Sequence, residues 1–526
     1  MILGVDGGGT NVDAVLVDDD GVRDTAKVPH GAAEDRFAAA VDRVLDGHAV
    51  DAVDRAVVAT TLVLNDAVQD RLPRCTSVLI PGVGLSPELA RCGDDDVVLD
   101  GCVDHRGRVT EELDGLDALD DVPDDAGAGT VAVTAKFATR NPALERETRS
   151  AIDVADQRVA LGSEAGGRLG FPARARTTAL NARAKPGFEA FAERVQSALD
   201  AAGVAAPTYF LKGDAAMLGR DAAVATPAHT LRSGPAASTL GLLALTGAAD
   251  AVCVDVGGTT TDLTVLRDGY PVLEGDVAVA GHETFYDGVG SLDLAVGGDT
   301  RVDADGLTGE RVGDAAAFGG PEPTPTDALH VLGACDIGDG AAAREALATL
   351  GDPETVAEDV VEEVLAAIAD GVEEITATPR PPTMIVGGVL APFLADPVGD
   401  RLDWIEDVVV PEHADVAGAV GCAAARVSVA TRLHVDTARG TMTVTAAGGE
   451  RTTDVEQGRT YDDADVEALV TRETREATAR AGGDPDATID VSDVRRFNVV
   501  EGGRVEGEIV DATAQATPGL IEVFQR

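Results

Sequence analysis

Aromatic residues are scarce in this chain: they make up 3% of its 526 residues, with one Trp and four Tyr. A core must therefore be built from Val, Leu, Ile and Ala, and capture of a ligand by aromatic stacking is a poor expectation. Lysine is nearly absent, limited to Lys27, Lys136, Lys185 and Lys212. The 42 basic residues face 92 acidic ones, giving a formal net charge of −50. Such a molecule repels nucleic acid and anionic lipid along most of its surface, and neither is expected as a partner. The acids are spread in short patches such as Asp18-Asp19-Asp20 and Asp94-Asp95-Asp96. That is the pattern expected of a halophile's cytoplasmic protein, whose carboxylates hold water and cations while high salt screens their repulsion.

The six cysteines show no C-x-x-C spacing, which points to inert thiols rather than to a zinc or disulfide framework. His229, His282, His330 and His413 likewise lack ligand spacing and read as structural or surface residues. No apolar run approaches the ~18 residues that cross a bilayer. The start, Met1-Ile2-Leu3-Gly4-Val5, lacks the basic region and long apolar stretch of a signal peptide, so a cytoplasmic location is expected.

What is present is apolar content of 44%, with 60 glycines, enough for an α/β protein of two or three domains. Residues 1–18 read as a β-hairpin: a strand from Ile2 to Val5, a polar Gly-rich turn from Asp6 to Asn11, and a return strand from Asp13 to Val17. The same grammar returns at 251–269, where Asp255-Val256-Gly257-Gly258-Thr259-Thr260-Thr261-Asp262 forms the turn. Two copies of one unusual hairpin, about half the chain apart, indicate a duplicated architecture.

Between them the patterning predicts a helix over 34–45, strands over 55–59, 77–80 and 130–134, and an acidic linker over 114–129. Residues 281–325 are too irregular for long elements, and a helix is expected over 355–375. A strand-turn-helix unit follows over 383–394, then an Ala/Gly-rich buried helix over 415–432. From about Leu433 the pattern changes to alternating Thr/Val strands with one charged helix over 462–481. The expected domains are therefore 1–230, 231–432 and a small C-terminal α+β module over 433–526.

Glycines without Cβ let backbone N–H groups close on phosphate oxygens, and a carboxylate at a strand end can hold a hydrated Mg2+. A single such loop is usually only a tight turn. Two matching loops suggest hairpins that pinch one nucleotide between them. Gly387 and Gly388, after the apolar strand Met384-Ile385-Val386, form a third turn at which the backbone can approach adenosine closely. Arg140, Arg176 and Arg232 have forks suited to carboxylate or phosphate, although in so acidic a chain an Arg more often serves an internal ion pair.

These segments, in this order, resemble the phosphate 1, phosphate 2 and adenosine motifs of the actin/sugar-kinase/Hsp70 superfamily, with 415–426 placed like its second interdomain helix. Further stretches resemble the hydantoinase A/oxoprolinase family over about residues 1–430. They include Thr60-Thr61-Leu62-Val63-Leu64-Asn65, Asn141-Pro142-Ala143-Leu144-Glu145, Thr177-Thr178-Ala179-Leu180-Asn181-Ala182, Gly297-Gly298-Asp299-Thr300, Pro323-Thr324-Pro325-Thr326-Asp327-Ala328, and Ser233-Gly234-Pro235-Ala236, which resembles the family's Ser-Gly-Pro-Ala turn. The chain departs from the family pattern at Lys212-Gly213-Asp214 and around Gly288-Val289-Gly290-Ser291.

The resemblance implies two RNase H-like ATPase domains flanking a nucleotide cleft. It also implies ATP and Mg2+ as cofactors, with K+ admitted as a further ion. Asp6 and Asp255 would hold the metal, and Gly7, Gly8, Gly9, Thr10, Asn11, Gly257, Gly258, Thr259 and Thr260 would cradle phosphates, with Gly387 and Gly388 toward adenosine. Asp13, Asp262 and Glu164 are the candidates for a catalytic base. The implied activity is ATP-dependent opening of a cyclic amide such as a hydantoin or 5-oxoproline, beside a hydantoinase B-type partner subunit, with a homo-oligomer also admitted. A small-molecule kinase or ATP-dependent carboxylase subunit and a chaperone-like nucleotide switch are the rival readings.

Overall fold

The computed structural model describes residues 1–8, 11–29, 35–122, 129–165, 168–279, 281–311, 313–336, 338–446, 449–517 and 519–520. Its two main sheets are built on one plan. In the first, the strand Ile2–Gly7 pairs antiparallel with Asn11–Asp18 and parallel with Arg55–Thr60. The spatial order is Arg426–Val427, Ala216–Gly219, Thr208–Leu211, Arg55–Thr60, Ile2–Gly7, Asn11–Asp18 and Gly21–Pro29. In the second, Ala251–Val256 pairs antiparallel with Thr261–Arg267 and parallel with Thr383–Gly387, which is followed by Asp407–Val409. In both sheets the strand that carries the motif Asp is central, flanked on each side and apolar on both faces, as a doubly covered strand must be.

Two helices fill the space between these sheets. Ser233–Thr246 packs Leu242 and Leu243 on Ala251, Cys253 and Ile385 of the second sheet. Ala417–Ala424 packs Ala419, Val420 and Ala423 on Val15 and Val17 of the first. Their own contact is at the level of the backbone. A Cβ at Gly241 would stand 1.8 Å from the Ala417 carbonyl oxygen, and one at Gly421 1.8 Å from that of Ala237. Small residues at the crossing therefore set how closely the two halves approach, and with it how the hairpins face each other.

A four-stranded parallel sheet, ordered Val159–Leu161, Thr130–Ala135, Cys75–Ile80 and Asp95–Val98, lies beside the first. The 31-residue helix Phe171–Ala201 spans both units. Ala179 and Ala182 pack on the parallel sheet, while Phe188, Ala192, Val195 and Leu199 enter the core of the seven-stranded one. The C-terminal sheet is antiparallel, ordered Gly449–Asp454, Thr441–Ala446, Ala430–Asp436, Arg504–Ala516 and Ile489–Glu501. Leu433, Val435, Val510 and Ala512 on one of its faces pack against Val466 and Val470 of the helix Asp463–Arg480.

The structure corrects three expectations. The helix expected over 415–432 is confined to Ala417–Ala424; the chain turns to strand at Arg426–Val427 and again at Ala430–Asp436. Val427, Val429 and Thr431 are β-branched and favour the pleated conformation once the Ala/Gly run ends. The Ser-Gly-Pro-Ala segment opens the helix Ser233–Thr246 rather than making a turn, with Pro at a helix start where its missing N–H costs nothing. Within the expected acidic linker, Leu116–Asp121 winds into a 3-10 helix, and residues 123–128 lie outside the described residues. All six cysteines are free thiols. Among the described residues no helix is long and apolar enough to cross a membrane.

Candidate active site between two hairpins

Each hairpin places two carboxylates directly opposite each other. Asp6 is in register with Asp13 across the first, and Asp255 with Asp262 across the second. Like charges facing across a pair of strands are destabilising, so an architecture that repeats the arrangement twice is not explained by stability. The outer neighbours differ. Asp13 is in register with Lys27 on its other side, with Nζ 2.6 Å from Asp13 Oδ2. Asp262 is in register with Asp293, a third carboxylate.

The electrostatics place the carboxylates of the two hairpins within reach of one another. Desolvation, then the charges of Asp13 and Asp255, push Asp6 up to about 7, against the pull of Lys27. Desolvation raises Asp255 too, opposed by a hydrogen bond from Ser238 Oγ and by Lys27, a residue of the other sheet. Asp13 is raised by desolvation although Lys27 pairs with it. Asp262 lies well above the usual carboxylate range, through desolvation and then the charges of Asp293, Asp255 and Asp6. The charges of these groups are felt from one sheet to the other, so the two carboxylate pairs lie close together.

The second Gly-Gly-Thr loop is held by a neighbouring segment. Gly298 N–H donates to the Gly257 carbonyl over 2.9 Å, and Asp299 N–H donates to that of Gly258 over 2.7 Å. Thr326 N–H and Oγ1 both donate to the Gly298 carbonyl, and the Asp327 side chain closes a capping box with Thr324. Two of the stretches that carried the family resemblance are thus the support of this loop. Burial pushes Asp299 up to about 6, with Arg311 opposing it at 3.4 Å.

Gly387 and Gly388 end the strand parallel to Ala251–Val256. Gly388 has φ +91°, and a Cβ there would stand 2.1 Å from the Val256 carbonyl oxygen, so only glycine fits. A Cβ at Gly418, in the first turn of the interdomain helix, would stand 2.1 Å from Asp6 Oδ2.

Of the predicted residues, the structure brings Asp6, Gly7, Gly8, Asn11, Asp13, Asp255, Gly257, Gly258, Thr259, Thr260, Asp262, Gly387 and Gly388 to the two hairpins and the turn beside them. Gly9 and Thr10 lie outside the described residues. Glu164 is not brought to the hairpins: it lines a separate cavity of about 850 Å3, whose wall includes none of the four hairpin carboxylates. Arg140 and Arg232 are ion-paired, with Asp511 at 3.0 Å and Glu274 at 2.7 Å. Lys27, Ser238 and Asp293 were missed by the sequence reading. Lys27 was legible in principle, because the short turn between the second and third strands fixes its register opposite Asp13.

Asp6 Oδ1 and Asp13 Oδ1 are buried without a hydrogen-bond partner. Two hard oxygens so placed suit a hydrated divalent cation that takes its remaining ligands from water and phosphate. Among the described residues no group of three or more His, Cys, Asp or Glu is arranged to hold a metal by itself.

The paired hairpins and the central helix crossing define a two-domain fold of α/β type. Sequence comparison places the chain more narrowly: residues 2–154 match the Hydantoinase/oxoprolinase N-terminal region and residues 174–431 match Hydantoinase/oxoprolinase. The chain belongs to the hydantoinase/oxoprolinase family. It is 25% identical over 218 residues to caprolactamase subunit alpha of Pseudomonas jessenii, a match covering 39% of this chain and 31% of that relative's length. Its fold superposes on nucleotide-free acetone carboxylase with a TM-score of 0.75 at 17% identity, covering 100% of this chain and 88% of the other. On the ATP-dependent caprolactamase from Pseudomonas jessenii the TM-score is 0.68 at 18% identity, covering 98% and 87%.

Proposed function

We propose that this protein is the ATP-binding subunit of an enzyme that opens a cyclic amide, activating the amide by phosphorylation of its carbonyl oxygen. The observation that carries the reading is the facing pair of two-carboxylate hairpins, with Asp6 Oδ1 and Asp13 Oδ1 buried and unsatisfied. A polyphosphate bound with its hydrated cation gives those oxygens the partners they lack, the cation for Asp6 and a water beside the phosphates for Asp13. Asp6 and Asp255 would hold Mg2+, which when bound neutralises phosphate charge. The loops around Gly7 to Asn11 and Gly257 to Thr260 would cradle the phosphates, with Gly387 and Gly388 beside adenosine.

An amide carbonyl is a poor electrophile. Attack of its oxygen on the terminal phosphorus expels ADP and leaves carbon open to water; loss of the ring C–N bond from the adduct gives an acyl phosphate, and a second water releases phosphate and the ring-opened acid. Asp13, held by Lys27, and Asp262 are the side chains on the crevice that can move a proton; Glu164 lines the separate cavity. The relative's name, caprolactamase subunit alpha, supports a second subunit, and a hydantoinase B-type chain is the proposed partner.

Carbonyl activation by phosphoryl transfer also serves a carboxylase, and the fold is common to both solved relatives. The test is Mg-ATP hydrolysis in molar KCl, screened against lactams, hydantoins, 5-oxoproline, and ketones with bicarbonate, with and without a co-purified partner. Stimulation by a cyclic amide supports the proposal. Stimulation only by ketone with bicarbonate replaces it with carboxylation, and nucleotide binding without turnover replaces it with a switch.

A further inference from the structure

The cavity of about 850 Å3 lies between the C-terminal sheet, the end of the first sheet and the loops of the parallel sheet. The C-terminal sheet turns its polar face to it. Ala430, Arg432 and His434 alternate along one strand and are in register with Gln515, Thr513 and Asp511 on the next, and all six line the wall. The opposite face is the apolar one against the helix.

Five cationic side chains other than histidine reach this wall: Arg140, Arg168, Lys212, Arg432 and Arg495. Four of them are matched. Arg140 Nη2 is 3.0 Å from Asp511, which also has His434 Nδ1 at 2.6 Å. Arg168 bridges Asp276 and Asp287 at 2.8 Å each, Lys212 is 2.5 Å from Asp214, and Arg495 is 3.0 Å from Asp493. Arg432 has no hydrogen bond or ion pair from its guanidinium among the described residues, in a chain with 92 acidic side chains available. A largely buried guanidinium with no direct hydrogen-bond acceptor has its fork available to a ligand anion. Burial, then the nearby Arg168, pull Arg432 down to about 10, against the charges of Asp511, Asp287 and Asp493, none of which reaches its guanidinium as an ion pair.

We propose that this cavity binds a small aliphatic monocarboxylate, with its carboxylate on Arg432 and its chain along Leu169, Leu218 and Phe285. One planar fork matches one carboxylate. The wall carboxylates Glu164 and Asp221 oppose a second negative charge, and the volume exceeds what an inorganic ion fills. The inference stands apart from the nucleotide reading, because it uses none of the hairpin residues and its test needs no ATP.

The test is a thermal-shift titration of the full chain with sodium pentanoate, against inorganic phosphate and chloride at matched ionic strength. Pentanoate is expected to raise the melting temperature saturably, by a few degrees, beyond either control. Arg432→Gln is expected to weaken that response about tenfold or more, with Arg432→Lys falling between. Ala430→Phe, at an exposed wall position that leaves Arg432 in place, is expected to weaken it by filling the cavity. An equal response to phosphate, an equal response in Arg432→Gln, or, where that variant fails to fold, an unimpaired response in Ala430→Phe would overturn the proposal.

Discussion

Lys27 Nζ donates to the Asp13 carboxylate over 2.6 Å and to the main-chain carbonyl of Asp415 over 2.9 Å. One of only four lysines in the chain thus joins the first hairpin to the segment that leads into the interdomain helix. It also brings positive charge to a crevice that holds four carboxylates. Lys27→Met is expected to lower stability by ~1–3 kcal/mol, the range for a hydrogen bond to a charged group. Asp13→Asn in the same chain should recover part of the loss in a double-mutant cycle read from denaturant midpoints. Additive losses would show that the pair is not coupled.

The helix crossing makes a steric prediction. Gly241→Ala drives a methyl group into the Ala417 carbonyl, where the built Cβ stands at 1.8 Å. Overpacking at a rigid backbone contact is expected to cost about 3 kcal/mol. Gly219→Ala, where nothing lies within 4 Å of the built Cβ, should stay within ~0.5 kcal/mol. Urea unfolding of the two variants side by side makes the comparison.

His229 gives a pH dependence. Desolvation, then the charge of Lys212, pull its imidazole from 6.5 down to about 3. Between those values the unfolded chain binds a proton that the folded one does not, so this residue's contribution to stability rises as pH goes from about 3 to about 6.5. The ring stands edge-on to Tyr286 at 4.6 Å, and His229→Phe keeps that packing. Melting temperatures recorded from pH 4.5 to 7 should show a shallower acid-side fall in the variant; parallel curves would count against it.

The net charge of −50 makes the fold salt-dependent. Mutual repulsion of surface carboxylates opposes the compact state and is screened by electrolyte. The melting temperature should rise from dilute buffer to molar KCl, and identical melting in both would contradict this.

The hairpins were legible because Asp and Gly-Gly-Thr between two apolar runs have few structural solutions, and their repetition fixed the plan of both main sheets. The long helix Phe171–Ala201 was not legible. It has Pro186 in its interior and meets two different sheets along its length, so no single apolar stripe repeats. Ser233–Thr246 was hidden for a related reason: it is buried nearly all round, and its composition carries no helical period. Ser238 and Asp293 reach the crevice only through tertiary packing and strand register, which no local pattern encodes.

Nucleotide binding by the carboxylate variants tests the central claim most directly. Calorimetric titration of the full chain with Mg-ATP, in high salt, compares wild type with Asp6→Asn and Asp255→Asn. The account predicts saturable, magnesium-dependent binding by the wild type and at least about a tenfold loss in each variant, since each removes a charged group from one shared polyphosphate site. Binding that is unchanged in both variants, or absent from a folded wild type, would contradict it.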